Sequence, residues 1–264
     1  MVIGELEKQA THAIRERLSH FTVVVDVSTK DVPDWGTGSL IKFHNRYFIL
    51  TCAHVVTPDY PDSELGVLFY PGGTSKYSSK EKIKAMSLPE LLQAIPNRSY
   101  RQRLDVVKRI YSEPKDDLVF LELNPESEQV SKNEFYDISE RGIKVPDPGQ
   151  GIYLTGFSQE LARDLGKKRM GALPYFELTV LTSRDIELAD FDAQREFLVD
   201  YPKDESSVEP KGLSGCGVWV RLPSGKDNVW TPNLYLVGVQ KAVYRTNQVL
   251  SVTKAEQILK LLGE

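Results

Sequence analysis

Only two cysteines occur in 264 residues, Cys52 and Cys216, too few for a disulfide framework and in keeping with a reducing cytoplasm. Long hydrophobic runs are missing too. Phe48-Ile49-Leu50 and Leu118-Val119-Phe120-Leu121 fall far short of a membrane span. Basic clusters are absent: 33 Lys and Arg stand against 37 Asp and Glu, a formal net charge of −4, so nucleic acid is not an expected partner. Residues 1–18 carry Glu5, Glu7, Arg15, Glu16 and Arg17 without an apolar core, and no signal peptide is expected there. The four histidines and two cysteines are scattered and form no zinc pattern. Thr155-Gly156-Phe157 has a single glycine, which does not make a phosphate loop. No metal or cofactor is expected.

What is present reads as a globular, β-rich chain. Hydrophobic residues make up 41% and charged residues 27%, ordinary values for a protein with a full core. Ile3, Leu6, Ala10, Ile14 and Leu18 recur at helical spacing and predict an amphipathic helix. Strands are predicted at 21–27, 39–43, 47–51, 105–111 and 118–123 from β-branched and apolar runs, with a hairpin turn at His44-Asn45-Arg46. Ser87 caps an expected short helix over 87–95. A stretch rich in Pro, Gly and charge over 124–150 is the candidate boundary between two halves. Five more short strands follow at 151–157, 175–182, 196–200, 217–220 and 234–239. Thr253-Lys254-Ala255-Glu256 reads as a capping box opening a helix to Leu262. Many short strands without a βαβ rhythm point to closed antiparallel barrels.

Three places carry chemistry. Thr51-Cys52-Ala53-His54 closes one predicted strand, Asp116-Asp117 opens another, and Lys211-Gly212-Leu213-Ser214-Gly215 is a glycine-flanked serine turn. A serine hydroxyl needs a neighbouring base to become a nucleophile. Histidine suits that task near neutral pH, and a carboxylate behind it fixes the ring tautomer. Glycines let the serine turn aim backbone N–H groups at one point, where an oxyanion would be held. Ser214 is thus the candidate nucleophile, His54 the base and Asp117 its orienting acid, with the N–H groups of Gly212 and Ser214 as the oxyanion hole. Asp116 is the rival acid, and the apolar alternation from Asp117 into Leu118 and Phe120 favours Asp117.

The order His, Asp, Ser and the local sequences resemble the trypsin-like, chymotrypsin-fold serine peptidases over roughly residues 20–255. The resemblance implies an all-β fold of two antiparallel six-stranded β-barrels with an N-terminal and a C-terminal helix. It divides the chain into the helix 1–18, a first barrel 19–130 with the histidine and aspartate, and a second barrel 131–264 with the serine and the last helix. It also implies that residues near Gln240 to Val243 bind an extended peptide by β-addition, so that Val208, Lys241, Ala242 and Val243 are candidate substrate-binding positions.

This chain departs from the family's pattern at several points. Leu213 replaces the aspartate that a new N-terminus captures in secreted members, so that switch is not expected, and other contacts, a ligand or a partner must order the turn. Cys52 and Cys216 replace small residues and are expected to lie close together, reduced. Lys241 either pairs with Asp117 or points away. Val243 narrows the specificity pocket towards small apolar side chains.

The function expected is that of a cytoplasmic serine endopeptidase acting on protein or peptide substrates. The alternatives are an inactive peptide-binding module and an enzyme held latent until an activating partner orders its turn.

Overall fold

The computed structural model describes residues 2–29, 34–69, 102–161, 163–164, 170–171, 174–201, 208–222 and 233–263, together with 85, 87 and 90. The chain opens with helix α1 (Val2–Ser19). The first sheet then draws on β1 (Thr22–Asp26), β2 (Trp35–Phe43), β3 (Arg46–Cys52), β4 (Gly66–Phe69), the short β5 (Gln102–Arg103), β6 (Val106–Tyr111) and β7 (Leu118–Leu123). They lie in the order β5-β4-β1-β2-β3-β7-β6. Two short helices, α2 (Glu128–Lys132) and α3 (Ile138–Arg141), frame β8 (Tyr136–Asp137), which joins β2 in parallel. The expected irregular boundary at 124–150 is therefore partly built into the first sheet.

After β9 (Gly151–Gly156) comes a two-residue hairpin, β10 (Arg163–Asp164) and β11 (Met170–Gly171). It precedes β12 (Tyr175–Val180), β13 (Glu196–Asp200), β14 (Gly217–Leu222), β15 (Asn233–Tyr244) and β16 (Val249–Lys254). The second sheet is six-stranded in the order β12-β9-β14-β15-β16-β13. A bridge between Leu181 and Val199 joins its two end strands and curls it towards closure. The result is the two-barrel, chymotrypsin-like architecture, closed by helix α4 (Ala255–Leu262).

Alternation along the strands explains how one chain fills three core regions. On β7, Val119, Leu121 and Leu123 point into the first barrel, while Leu118 and Phe120 face the cluster between the sheets. On β14, Val218 and Val220 fill the second barrel and Trp219 turns to the shared cluster. Side chains on successive strand residues point to opposite faces, so a single strand serves both. At the centre of the shared cluster Phe21, Tyr136 and Trp219 meet, with ring centroids 4.9–5.9 Å apart. Ile14 and Leu18 of α1 pack into the same cluster. The amphipathic helix is thus spent on its own fold.

At the C-terminal end one expectation fails and one strand is unforeseen. Thr253 does not cap α4. It lies in β16, the cap position is Lys254 without a side-chain bond, and the Thr253 hydroxyl donates to Asp116 O at 2.8 Å. The strand β16 itself is absent from the predicted set. Val249 to Thr253 are all buried because β16 lies between β15 and β13, so its pattern lacks the alternation of a half-exposed strand. Of the helix expected over 87–95, only Ser87 and Glu90 lie within the described residues, where they bond reciprocally as a capping box does.

Burial of α1 yields a stability prediction. Leu18 is fully buried, so Leu18→Ala is expected to cost about 2–5 kcal/mol. The urea midpoint should fall, and an unchanged midpoint would show that the helix is not docked.

Candidate active site

The register between β3 and β7 brings His54 and Asp117 together. Their pairing ends at Cys52 opposite Leu118, and the N–H of Ala53 donates to Asp117 O at 2.9 Å to add one more rung. Asp117 takes a left-handed backbone, φ 53°, which aspartate tolerates better than most residues. Its carboxylate then receives the His54 backbone N–H on Oδ1 at 2.9 Å, and His54 Nδ1 lies 2.5 Å from Oδ2. A carboxylate can only accept, so the ring proton sits on Nδ1 and leaves Nε2 as the basic nitrogen. His54 is half exposed and Asp117 mostly covered. The rival acid turns elsewhere: Asp116 Oδ1 accepts from Arg195 at 2.9 Å.

Ser214 comes from the second sheet, in the turn before β14. Thr37 on β2 fastens that turn to the first sheet. Its N–H donates to Ser214 O at 2.9 Å and its hydroxyl to Gly212 O at 2.8 Å. The same hydroxyl accepts from the N–H of Phe157 at 2.9 Å, while Thr51 Oγ1 donates to Thr37 O at 2.7 Å. Gly215, at φ 90°, lies so close to this junction that an added Cβ would stand 2.1 Å from Thr51 Oγ1 and 2.2 Å from Thr37 O. Glycine is therefore required on steric and backbone grounds. Gly212, φ 91°, would likewise meet Phe157 O at 2.4 Å.

The serine turn thus abuts Thr51 and Cys52, the residues that lead into His54. Among the described residues, no hydrogen bond joins Ser214 Oγ to His54, and no acceptor takes the N–H of Gly212 or Ser214.

Leu213 answers the question raised by the missing aspartate. It is 2% exposed, and a Cβ added to Gly156 would come within 3.1 Å of Leu213 Cδ2. Hydrophobic burial against β9, not a buried ion pair, holds the turn from behind. Its backbone is closed by Leu213 N to Pro210 O and Cys216 N to Leu213 O, both 2.9 Å.

Among the other candidate substrate positions, Val208 is 3% exposed and its carbonyl accepts from Tyr201 OH at 2.8 Å. Val243 packs against the second-barrel core. Ala242 is half-buried next to it. Lys241 points away from Asp117. It is the extra residue where the β15–β16 register shifts between Gln240 and Ala242, and a bulge re-aims the side chain it carries. Its ammonium bonds Glu196 at 2.8 Å and Lys115 O at 2.7 Å. A cavity of about 430 Å³ behind the second sheet, lined by Phe191, Ala193, Phe197 and Val237 among others, contains none of these candidate residues.

Cys52 is a buried neighbour of the pair. Donor atoms of Cys52, His54 and Asp117 all lie within 4.8 Å of one another, and the Cys52 thiol donates to Gln240 O at 3.2 Å. The trio is a poor metal cradle, since a cation would have to take the carboxylate from His54 and deprotonate a buried thiol. Both cysteines are free and buried. Burial pushes the Cys216 thiol up to about 12. Burial, and then the charge of Asp117, raises Cys52 well above the ordinary value.

No family model matches the sequence, and no curated protein is recognisably similar to it. Solved structures are similar in fold. The MamO protease domain of Magnetospirillum magneticum superposes with a TM-score of 0.54 at 14% identity, over 92% of this chain and 96% of that one. A serine endoprotease from Yersinia pestis gives 0.56 at 13% identity, over 96% of this chain and 65% of that one. An inactivated protease paralogue of the scabies mite, S-I1, gives 0.55 at 16%, over 93% of each. The chain therefore has the fold of the trypsin-like serine peptidases. Among the described residues no helix is long and apolar enough to cross a membrane.

The thiols yield a prediction. Alkylation needs the thiolate, and a raised pKa holds the neutral form. At pH 8 Cys216 should present roughly a thousandfold less thiolate than an ordinary cysteine. Both cysteines should resist iodoacetamide until denaturant is added, as followed by intact mass. Rapid alkylation of the native protein would contradict their burial.

Proposed function

We propose that the protein is a serine endopeptidase, and the observation that carries this reading is the doubly bonded His54–Asp117 pair beside the Ser214 turn. Nε2 of His54 takes the proton of Ser214 Oγ as that oxygen attacks a peptide carbonyl carbon. The carbonyl oxygen gains the negative charge and is met by the N–H groups of Gly212 and Ser214. His54 then gives its proton to the departing amine, leaving an acyl-enzyme on Ser214. Water repeats the sequence and frees the serine. Asp117 keeps Nδ1 protonated throughout and stabilises the imidazolium.

The substrate is an extended peptide laid along Lys241, Ala242 and Val243 as an added strand. Its P1 side chain turns towards Val208 and Val243, whose apolar bulk selects small apolar residues. A reducing, cytoplasmic setting fits the two cysteines held as free thiols. The buried Leu213 supports a turn ordered without chain cleavage. One observation favours a second reading, a partner-activated or purely peptide-binding module: Ser214 Oγ makes no hydrogen bond to His54.

A fluorophosphonate separates these readings. The wild type should be labelled at Ser214 and Ser214→Ala should not. Asp117→Asn should slow the reaction by about 10⁴-fold, since the wrong tautomer then faces the serine. A folded wild type that stays unlabelled with and without cell extract sinks the peptidase reading. Labelling only with extract supports the partner-activated form.

A further inference from the structure

The turn that carries Asp117 is gripped from the second sheet, although Asp117 itself belongs to the first. Arg195, directly before β13, spreads its guanidinium over two carboxylates of that turn. Nη1 lies 2.9 Å from Asp116 Oδ1 and Nη2 lies 2.7 Å from Glu113 Oε2. Lys241 donates to Lys115 O at 2.7 Å, braced by Glu196 on its other side. Thr253 Oγ1 donates to Asp116 O at 2.8 Å. Residues 113, 115 and 116 are thus held by three side chains from three places on the other sheet.

The turn also closes on itself, through Asp116 N to Glu113 O and Ser112 N to Leu118 O at 3.0 Å, Leu118 N to Ser112 Oγ at 2.9 Å and Ser112 Oγ to Glu113 O at 3.0 Å, but none of these bonds holds the Asp116 carboxylate. Asp117 must also be kept in its left-handed backbone, φ 53°, a conformation few L-residues other than Asn and Asp adopt. Asp116 is 6% exposed, and Arg195 is the cation paired with its carboxylate.

We infer that Arg195 is a positioning residue for the Asp117 carboxylate, acting through Asp116 and Glu113, with Lys241 as its second brace. Docking of the second sheet and alignment of His54 are then one event. A first sheet without its partner would carry both residues but not their geometry. This rests on the peptidase reading only for its effect on rate. The alignment of His54 stands apart from it.

Two readouts keep those apart, in the full-length protein. The ¹⁵N shifts of His54, taken at alkaline pH, report which ring nitrogen holds the proton. Wild type should show the Nδ1–H form. Arg195→Ala should revert to the solution mixture of tautomers, and Arg195→Lys should recover part of the wild-type signal. Fluorophosphonate labelling should fall about 10- to 100-fold in Arg195→Ala, the scale of a small misplacement of a reacting group, at temperatures well below unfolding.

If Arg195→Ala does not fold, Asp116→Asn, which keeps the shape and removes the pair, decides by the same readouts. A folded variant with wild-type ¹⁵N shifts and wild-type labelling overturns the inference, because a merely structural ion pair would lower the melting temperature and move neither signal. An unlabelled wild type sinks the peptidase reading alone, since the tautomer still decides for or against Arg195. A wild type without the Nδ1–H form overturns the alignment itself.

Discussion

Thr37 joins the two sheets where it matters most. Its backbone N–H and its hydroxyl hold the carbonyls of Ser214 and Gly212, and its own carbonyl receives Thr51. Thr51 lies three residues before His54 on β3, so the serine turn and the histidine strand share one anchor. Thr37 and Thr51 are fully buried, where a hydrogen bond left unmade is expensive. The seam therefore has one satisfied arrangement, and glycine at 215 is the steric condition for it. Sliding either sheet would break several buried bonds at once, which makes the relative placement of the halves stiff.

The same seam is used from the other side. Arg195, Lys241 and Thr253 reach from the second sheet to the Asp117 turn, while Thr37 and Thr51 reach from the first sheet to the Ser214 turn. Each half orders the other's functional loop. Leu213 adds an apolar anchor behind the serine in place of a charge. A buried leucine contributes through area removed from water and needs no partner to neutralise it. Lys241 is released from the site by a bulge and becomes part of the brace.

Fold alone does not decide activity. Chains that superpose comparably on this one include a serine endoprotease and an inactivated protease paralogue. What separates such cases is side-chain chemistry at a few positions. Here the His54–Asp117 pair is fully made, and the Ser214 turn is held with the N–H groups of Gly212 and Ser214 free of partners among the described residues.

Much of this was legible in the sequence, because it depends on local rules. Strands β1, β2, β3, β6 and β7 of the first sheet, the hairpin at His44, the amphipathic helix and the motifs around His54, Asp117 and Ser214 follow from short-range pattern and residue chemistry, whereas the short β4, β5 and β8 do not. Where the local pattern was silent or misleading, a neighbour distant in sequence had the deciding role. Thr253 looks like a helix cap, yet its hydroxyl serves Asp116 from β16. Lys241 left two directions open until a register shift turned it to Glu196. Arg195 lies directly before the strand predicted over 196–200, and only the packing of the second sheet sets it over Asp116 and Glu113. Residue types and their order along the chain determined which chemistry is on offer. Which carboxylate meets the histidine, what holds it there and how the serine turn is ordered were decided by contacts between segments far apart in the chain, 63 residues for His54 and Asp117 and 175 for Thr37 and Gly212, which no local periodicity encodes.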